Sequence, residues 1–457
     1  MDRRRISPRL VAGLGCAALT LTGATCLGLP AAHADTSTAT HYTGSLDDGA
    51  TWIADVPADW NGTLILYSHG YGYLAPEDAP DPATQQALLD RGYALVGSSY
   101  SGGLWALPNA TNDQFASLAA IKRQIGMPQM TLGFGTSMGG LISAQEAQRS
   151  NGRLDGVLTT CGLVGGGVNL NNYQLDGEYA ISQLLAPGQQ VKLVNYTNAG
   201  EAQSAANLLS QAVTDAQSTP AGRARIALAA ALLNTPAWAT GDSPPAAHDY
   251  AEQERQQAAL LPSQLQFVIS ARPSIEAAAG GNTSWNVGVN YGQLLDRSAN
   301  QGEVRALYRA ARLSLKGDVN TLNSHEQIRP SRPAIASLTS TSTVTGHLDV
   351  PELDLHTISD TLAPIAYENY YGHLVRRAGD GSLLRQAYVK SIGHCNFTPS
   401  ELVAGVQTVR SRVERGRWGA SASAASLNAT AAETGLGGGQ FIDFRPPAFV
   451  NARTYRR

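Results

Sequence analysis

Gly135-Thr136-Ser137-Met138-Gly139-Gly140 is the stretch on which the reading of this chain turns. An apolar run, Met130-Thr131-Leu132-Gly133-Phe134, precedes it, and a helical pattern, Leu141-Ile142-Ser143-Ala144-Gln145-Glu146-Ala147, follows. The order is strand, tight turn, helix, with Gly-x-Ser-x-Gly on the turn. In such a turn the serine sits on strained backbone at the top of a sheet. A Cβ at either flanking position would crowd the neighbouring strand or helix. The helix that follows points its N-terminus at the serine, where developing negative charge is stabilised. Ser137 therefore reads as a nucleophile. The competing reading is a chance match in a chain with 47 glycines, and the surrounding elements decide between the two.

Those elements alternate. Trp52-Ile53-Ala54-Asp55-Val56, Gly62-Thr63-Leu64-Ile65-Leu66-Tyr67-Ser68 and Tyr93-Ala94-Leu95-Val96-Gly97-Ser98-Ser99 read as strands, as does Leu154-Asp155-Gly156-Val157-Leu158-Thr159-Thr160. Helical patterns cover residues 82–91 and 112–125. Strands alternating with helices predict an α/β fold, with a mostly parallel sheet covered on both faces. The alternation stops in residues 165–334, which are rich in Ala, Gln and Leu, with helices expected at 199–217, 221–233, 246–261 and 302–315. It resumes with strands at Leu353-Asp354-Leu355-His356-Thr357 and Gln386-Ala387-Tyr388-Val389-Lys390, and a closing helix over 400–414. The expected organisation is thus a sheet core in two parts, 35–164 and 335–415, separated by a helical cap at 165–334. A tail over 416–457 is expected to be a flexible linker plus a segment that packs back.

The first 34 residues read as a signal peptide. Arg3-Arg4-Arg5 and Arg9 open it, an apolar stretch of small residues follows, and Ala32-His33-Ala34 is a small-x-small cleavage signal. The mature chain is expected to begin near Asp35, secreted and without a stable membrane anchor. Removing four arginines and one aspartate moves the formal charge from −3 to −6. A mildly acidic chain with no long basic run argues against nucleic acid as a partner. Only Cys161 and Cys395 survive this processing. They lack Cys-x-x-Cys spacing, and no His-Glu-x-x-His occurs, so no metal site is expected. Gly162-Leu163-Val164-Gly165-Gly166-Gly167 fits neither a phosphate-binding loop nor a dinucleotide fingerprint, so no cofactor is expected.

A serine nucleophile needs a base, and the base needs an orienting carboxylate. His394, in Ser391-Ile392-Gly393-His394-Cys395-Asn396-Phe397, sits just past the last expected strand and is the candidate base. His347, His356 and His373 lie in less suitable contexts. Asp360, just beyond Leu355-His356-Thr357-Ile358-Ser359, is the candidate acid, with Asp349 and Asp354 as rivals. For the oxyanion, Ser68-His69-Gly70-Tyr71-Gly72 follows an early strand. The Tyr71 and Met138 backbone N–H groups are the candidate donors.

Serine, acid and histidine in this chain order, with these strand ends, resemble the α/β-hydrolase superfamily. The resemblance covers about residues 45–165 and 335–415. It implies a Ser137–His394–Asp360 triad and a cap where the helical insert falls. It says little about substrate, because the fold hosts many chemistries. Tannases and fungal feruloyl esterases link a cysteine after their catalytic histidine to one beside the nucleophile. Cys395 follows His394 here, but position 136 is Thr. Cys161, at the end of the strand next to the nucleophile strand, offers a different tether through a Cys161–Cys395 disulfide.

The expected activity is a secreted serine esterase acting on a small-molecule or polymeric ester. Tyr73, Tyr100 and Trp105 are candidates for its pocket or for its core. The alternative is an amidase or exopeptidase with the same triad. A peptidase that selects a free N-terminus needs a cap carboxylate; Glu178, Glu201 and Glu252 are available but read as solvated surface charges. A non-catalytic binding protein on this fold is the third class, and an intact triad argues against it.

Overall fold

In the computed structural model, residues 39–72 and 74–455 are described. The expected signal peptide and Tyr73 lie outside the described residues. The first part of the chain runs β1 (Thr40–Ser45), β2 (Thr51–Val56), β3 (Thr63–Ser68), α1 (Pro82–Leu89), β4 (Ala94–Ser98), α2 (Ala110–Ile125), β5 (Met130–Thr136), α3 (Met138–Gln148) and β6 (Gly156–Thr160). Helices follow: α4 (Gly167–Leu185), α5 (Ala199–Ala216), α6 (Pro220–Leu232), α7 (Tyr250–Ala279), α8 (Tyr291–Arg297), α9 (Gln301–Ala310), α10 (Leu315–Ser324) and α11 (Arg332–Ser342). The last part runs β7 (Glu352–Ser359), α12 (Ala366–Ala378), β8 (Leu384–Ile392), α13 (Pro399–Arg415), α14 (Ala424–Glu433) and β9 (Phe441–Ile442).

The strands form one sheet in the order β1-β2-β4-β3-β5-β6-β7-β8-β9. From β4 to β8 every pairing is parallel, and β1, β2 and β9 join antiparallel at the two edges. The central strands β3, β4 and β6 are buried along their whole length, as expected of parallel strands covered on both faces. The pleat divides their side chains between two cores. Leu64 and Leu66 enter the core under α2 and α3, and Ile65 and Tyr67 enter the one under α1 and α13. The edge strand β1 is largely exposed and polar, so it has no hydrophobic alternation for a sequence reading to find.

The helical stretch between β6 and β7 is an extension of one of these cores. Residues of α4, α5, α6 and α7 bury their apolar faces in the same cluster as Leu64 and Leu66. Helix α7 corrects an expectation. A helix ending at Leu261 is what Pro262 predicts, yet α7 continues through Pro262 and Pro273 to Gly280, which caps it at φ +81°. Packing against α5 and α6 along its length outweighs the lost helical donors.

In the tail, expected as a flexible linker plus a segment that packs back, residues 424–433 form a helix instead of a linker. Helix α14 packs on α13, and β9 extends the sheet beside β8. Phe449 packs among the rings of Tyr173, Tyr367 and Tyr370. Arg453 donates to the Asp176 carboxylate at 2.6 Å. The chain beyond α13 therefore closes over both sheet and helices.

Candidate active site

Ser137 sits at the junction of β5 and α3 with φ 62° and ψ −120°, a conformation that non-glycine residues rarely adopt. The flanking glycines are required by space. A Cβ on Gly135 would lie 2.0 Å from the Gly139 carbonyl oxygen, and one on Gly139 would lie 1.8 Å from that of Ser68. Helix, β3 and β5 thus approach too closely for any side chain.

The expected base and acid come together at this serine. Ser137 Oγ lies 2.6 Å from His394 Nε2. His394 Nδ1 lies 3.0 and 2.9 Å from the two Asp360 carboxylate oxygens. Asp360 directly follows β7, where the pairing with β8 shifts register between Thr357 and Ser359. Asp360 Oδ1 also accepts the backbone N–H groups of Leu362 and Ala363, at 2.8 and 2.7 Å. Burial pushes the Asp360 carboxyl up, but the charge and hydrogen bond of His394, with His356 and the backbone donors, together hold it below the usual range. The rival acids are elsewhere. Asp354 is buried within β7 against Gln386, and exposed Asp349 accepts from the Asn151 N–H.

A disulfide joins Cys161 to Cys395 with their Cα atoms 5.3 Å apart. It fastens the residue after His394 to the residue after β6. The His394 loop is also held by Gly393, whose N–H donates to Ser359 and whose carbonyl accepts from Thr357 Oγ1.

The His69-Gly70-Tyr71 turn passes beside the serine: a Cβ on Gly70 would lie 3.4 Å from Ser137 Cβ. Met138 opens α3, where the first N–H groups have no carbonyl of the helix to pair with. His69 Nδ1 donates to the Gly70 carbonyl at 2.8 Å, and its ring stacks on Tyr100 at 4.2 Å. Burial pushes the His69 imidazole down, so it is a neutral strut for the turn. Tyr100, taken as a pocket candidate, is buried instead; its hydroxyl donates to the His69 carbonyl. Trp105 does reach the site.

A narrow slot of about 40 Å³ opens on Ser137 and His394. Its walls include Tyr71, Trp105, Leu163, Leu170, Gln174 and Phe267. Leu170 and Gln174 belong to α4 and Phe267 to α7, both in the helical insert. These wall residues were not singled out in the sequence. They lie outside the helices expected from sequence, and only the fold brings them beside the serine.

Glu178 corrects another expectation. It is fully buried in α4 and paired with equally buried Arg272 of α7 at 2.8 Å. Behind Asp360 lies a second buried histidine. His356 Nε2 donates to the Ala363 carbonyl at 2.9 Å, and its Nδ1 is 3.0 Å from Glu368 Oε1. It thereby braces the Leu362-Ala363 turn that hydrogen-bonds Asp360. Burial pushes Glu368 up to about 7 and Glu352 up to about 8.

No family model matches the chain. The chain is similar to an o-phthalyl amidase of Xanthobacter agilis, 28% identical over 426 residues, covering 87% of this chain and 92% of that protein. Among solved structures it is similar to feruloyl esterase B from Aspergillus oryzae, with a TM-score of 0.40 and 13% identity over 83% of this chain and 80% of that one. It is also similar to tannin acyl hydrolase from Aspergillus niger, with a TM-score of 0.39 and 13% identity over 83% and 78%. The assignment rests on the molecule's own topology: serine on the β5–α3 turn, acid after β7, histidine after β8, and a turn after β3 beside the serine. With its parallel sheet covered on both faces, the chain has the α/β-hydrolase fold.

Proposed function

We propose that the protein is a serine hydrolase that cleaves carboxylic esters through a covalent acyl-enzyme. The observation that carries this reading is the unbroken run from Ser137 Oγ to His394 Nε2 (2.6 Å) and from His394 Nδ1 to buried Asp360 (2.9 Å). Ser137 Oγ attacks the acyl carbonyl while His394 Nε2 takes its proton, and Asp360 stabilises the imidazolium that forms. The Tyr71 and Met138 amides receive the oxyanion. His394 returns the proton to the leaving alkoxide, and water activated by the same imidazole releases the acid.

Amide hydrolysis is the second reading. It is favoured by the likeness over nearly the whole of both chains to a protein named as an o-phthalyl amidase. The two differ in the leaving group, since an amine must be protonated as it departs. The narrow apolar slot lined by Trp105 and Phe267 supports a flat acyl group in either case. Residues 165–334 form the cap that closes this slot. Residues 1–34 are a signal peptide that sends the mature enzyme out of the cell; among the described residues no helix is long and apolar enough to cross a membrane.

The deciding experiment sets purified enzyme against p-nitrophenyl esters from acetate to palmitate and against matched p-nitroanilides, with Ser137→Ala as control. Serine-dependent ester turnover without anilide cleavage is expected. Efficient anilide cleavage moves the assignment to amidase, and full turnover by Ser137→Ala removes the serine mechanism altogether.

A further inference from the structure

Two side chains that line the slot each carry a buried polar atom with no hydrogen-bond partner among the described residues. Gln174 is 5% exposed and Trp105 is 4% exposed, and both line the cavity with Ser137 and His394. Gln174 Oε1 and Trp105 Nε1 are buried with no hydrogen-bond partner among the described residues. Next to Gln174, the Tyr173 hydroxyl donates to the Leu362 carbonyl at 2.7 Å. A buried acceptor and a buried donor left unpaired are costly unless a ligand pairs them. One is an amide oxygen and the other an indole N–H, so together they call for a group that both donates and accepts.

The slot's charge is equally defined. Among the described residues lining it, none is Lys, Arg, Asp or Glu. Apart from Asp360, which His394 engages, the charges behind it are Glu178, one helical turn beyond Gln174, and Arg272, next to the lining residue Ala271. These two neutralise each other in a bidentate pair. An ionised substituent entering the slot would be desolvated with no opposite charge to meet it.

We infer that Gln174 and Trp105 are specificity residues that select a flat, uncharged acyl group bearing a hydroxyl or carboxamide. The substituent donates a hydrogen to Gln174 Oε1 and accepts one from Trp105 Nε1–H. This rests on the proposed attack by Ser137 and adds the substrate class to it.

The test measures kcat/KM for p-nitrophenyl esters of benzoate and of its hydroxy, carbamoyl and carboxy derivatives, each at the 2, 3 and 4 positions. The readout is the preference for a substituted acyl group over benzoyl, compared between the wild type and Gln174→Met. Intrinsic ester reactivity cancels in that comparison, and a merely structural loss lowers all substrates alike. At one ring position the hydroxy or carbamoyl ester should be preferred about tenfold or more, and Gln174→Met should erase about tenfold of it. Trp105→Phe should erase a smaller share. A preference that survives Gln174→Met, no preference at all, or a preference for a carboxylate overturns the inference. If no ester is turned over, the Ser137 reading fails separately. Calorimetry of 3- and 4-hydroxybenzamide and of benzamide with Ser137→Ala then decides: at one position a roughly tenfold tighter Kd that vanishes in Ser137→Ala with Gln174→Met supports the pocket, and equal Kd values overturn it.

Discussion

The sheet and the helical insert build the same site by different physics. At the sheet's upper edge the proposed reacting groups are fixed by backbone. Ser137, Asp360 and His394 each sit within two residues of a strand end, and their positions follow from register, glycine clearance and main-chain hydrogen bonds. In the insert the wall residues are fixed by side chains packed between helices, around buried polar pairs such as Glu178–Arg272 and Asp176–Arg453. Backbone geometry gives the chemistry its precision, while side-chain packing gives the slot its shape. The two should respond differently to damage.

The sharpest break is at the sheet edge. Asp360→Asn keeps the size of the side chain but removes the charge that holds His394 in the working tautomer. Its kcat should fall by about 10³–10⁴ with an intact far-ultraviolet spectrum. A loss below about tenfold would mean that Asp360 does not orient the base.

In the insert the largest effect should come from Arg272→Met, which strands the Glu178 carboxylate in a fully buried site. Chemical denaturation should show a loss of about 3–5 kcal/mol. The double variant Glu178→Leu with Arg272→Met should recover most of it, since removing both partners abolishes the stranded charge. A double variant as unstable as the single one would show that the pair does more than neutralise itself.

The disulfide ties together the two parts of the sheet core on either side of the insert: Cys161 follows β6 and Cys395 follows β8. Replacing both cysteines by Ala should cost about 2–5 kcal/mol of stability. It should also lower kcat, by less than Asp360→Asn does, because the His394 loop keeps its Gly393 hydrogen bonds. An unchanged kcat would assign the bond to stability alone.

The smallest effect is a pH slope. Burial pushes Glu146, beneath the sheet edge, up to about 8, and Glu352 of β7 likewise to about 8. A carboxyl whose folded value is raised gives stability that is complete below its unfolded value near 4.5 and drains away as pH rises through the folded value. Asp360 has the opposite sign: its value is lowered, so its contribution is present above the unfolded 3.8 and lost in acid. The melting temperature should therefore fall by a few degrees from about pH 5 to about pH 8.5. Glu146→Gln should flatten that fall by keeping the neutral form, and an unchanged slope would exclude Glu146 as its source.

Sequence alone marked the sheet core and the proposed reacting groups, because both leave local marks. Parallel strands buried on two faces are continuous apolar runs, and a strained serine turn needs small neighbours in a fixed pattern. An acid and a histidine just past strand ends are recognisable by position. The polar edge strand β1 left no such mark, and the prolines within α7 pointed the wrong way, because long-range packing overrode local preference. Tertiary structure decided the rest. It buried Tyr100 and Glu178, and placed Gln174 and Phe267 beside a serine they are far from in sequence. A helix's periodicity tells which face is buried, but what that face meets depends on helices that pack only once the chain has closed.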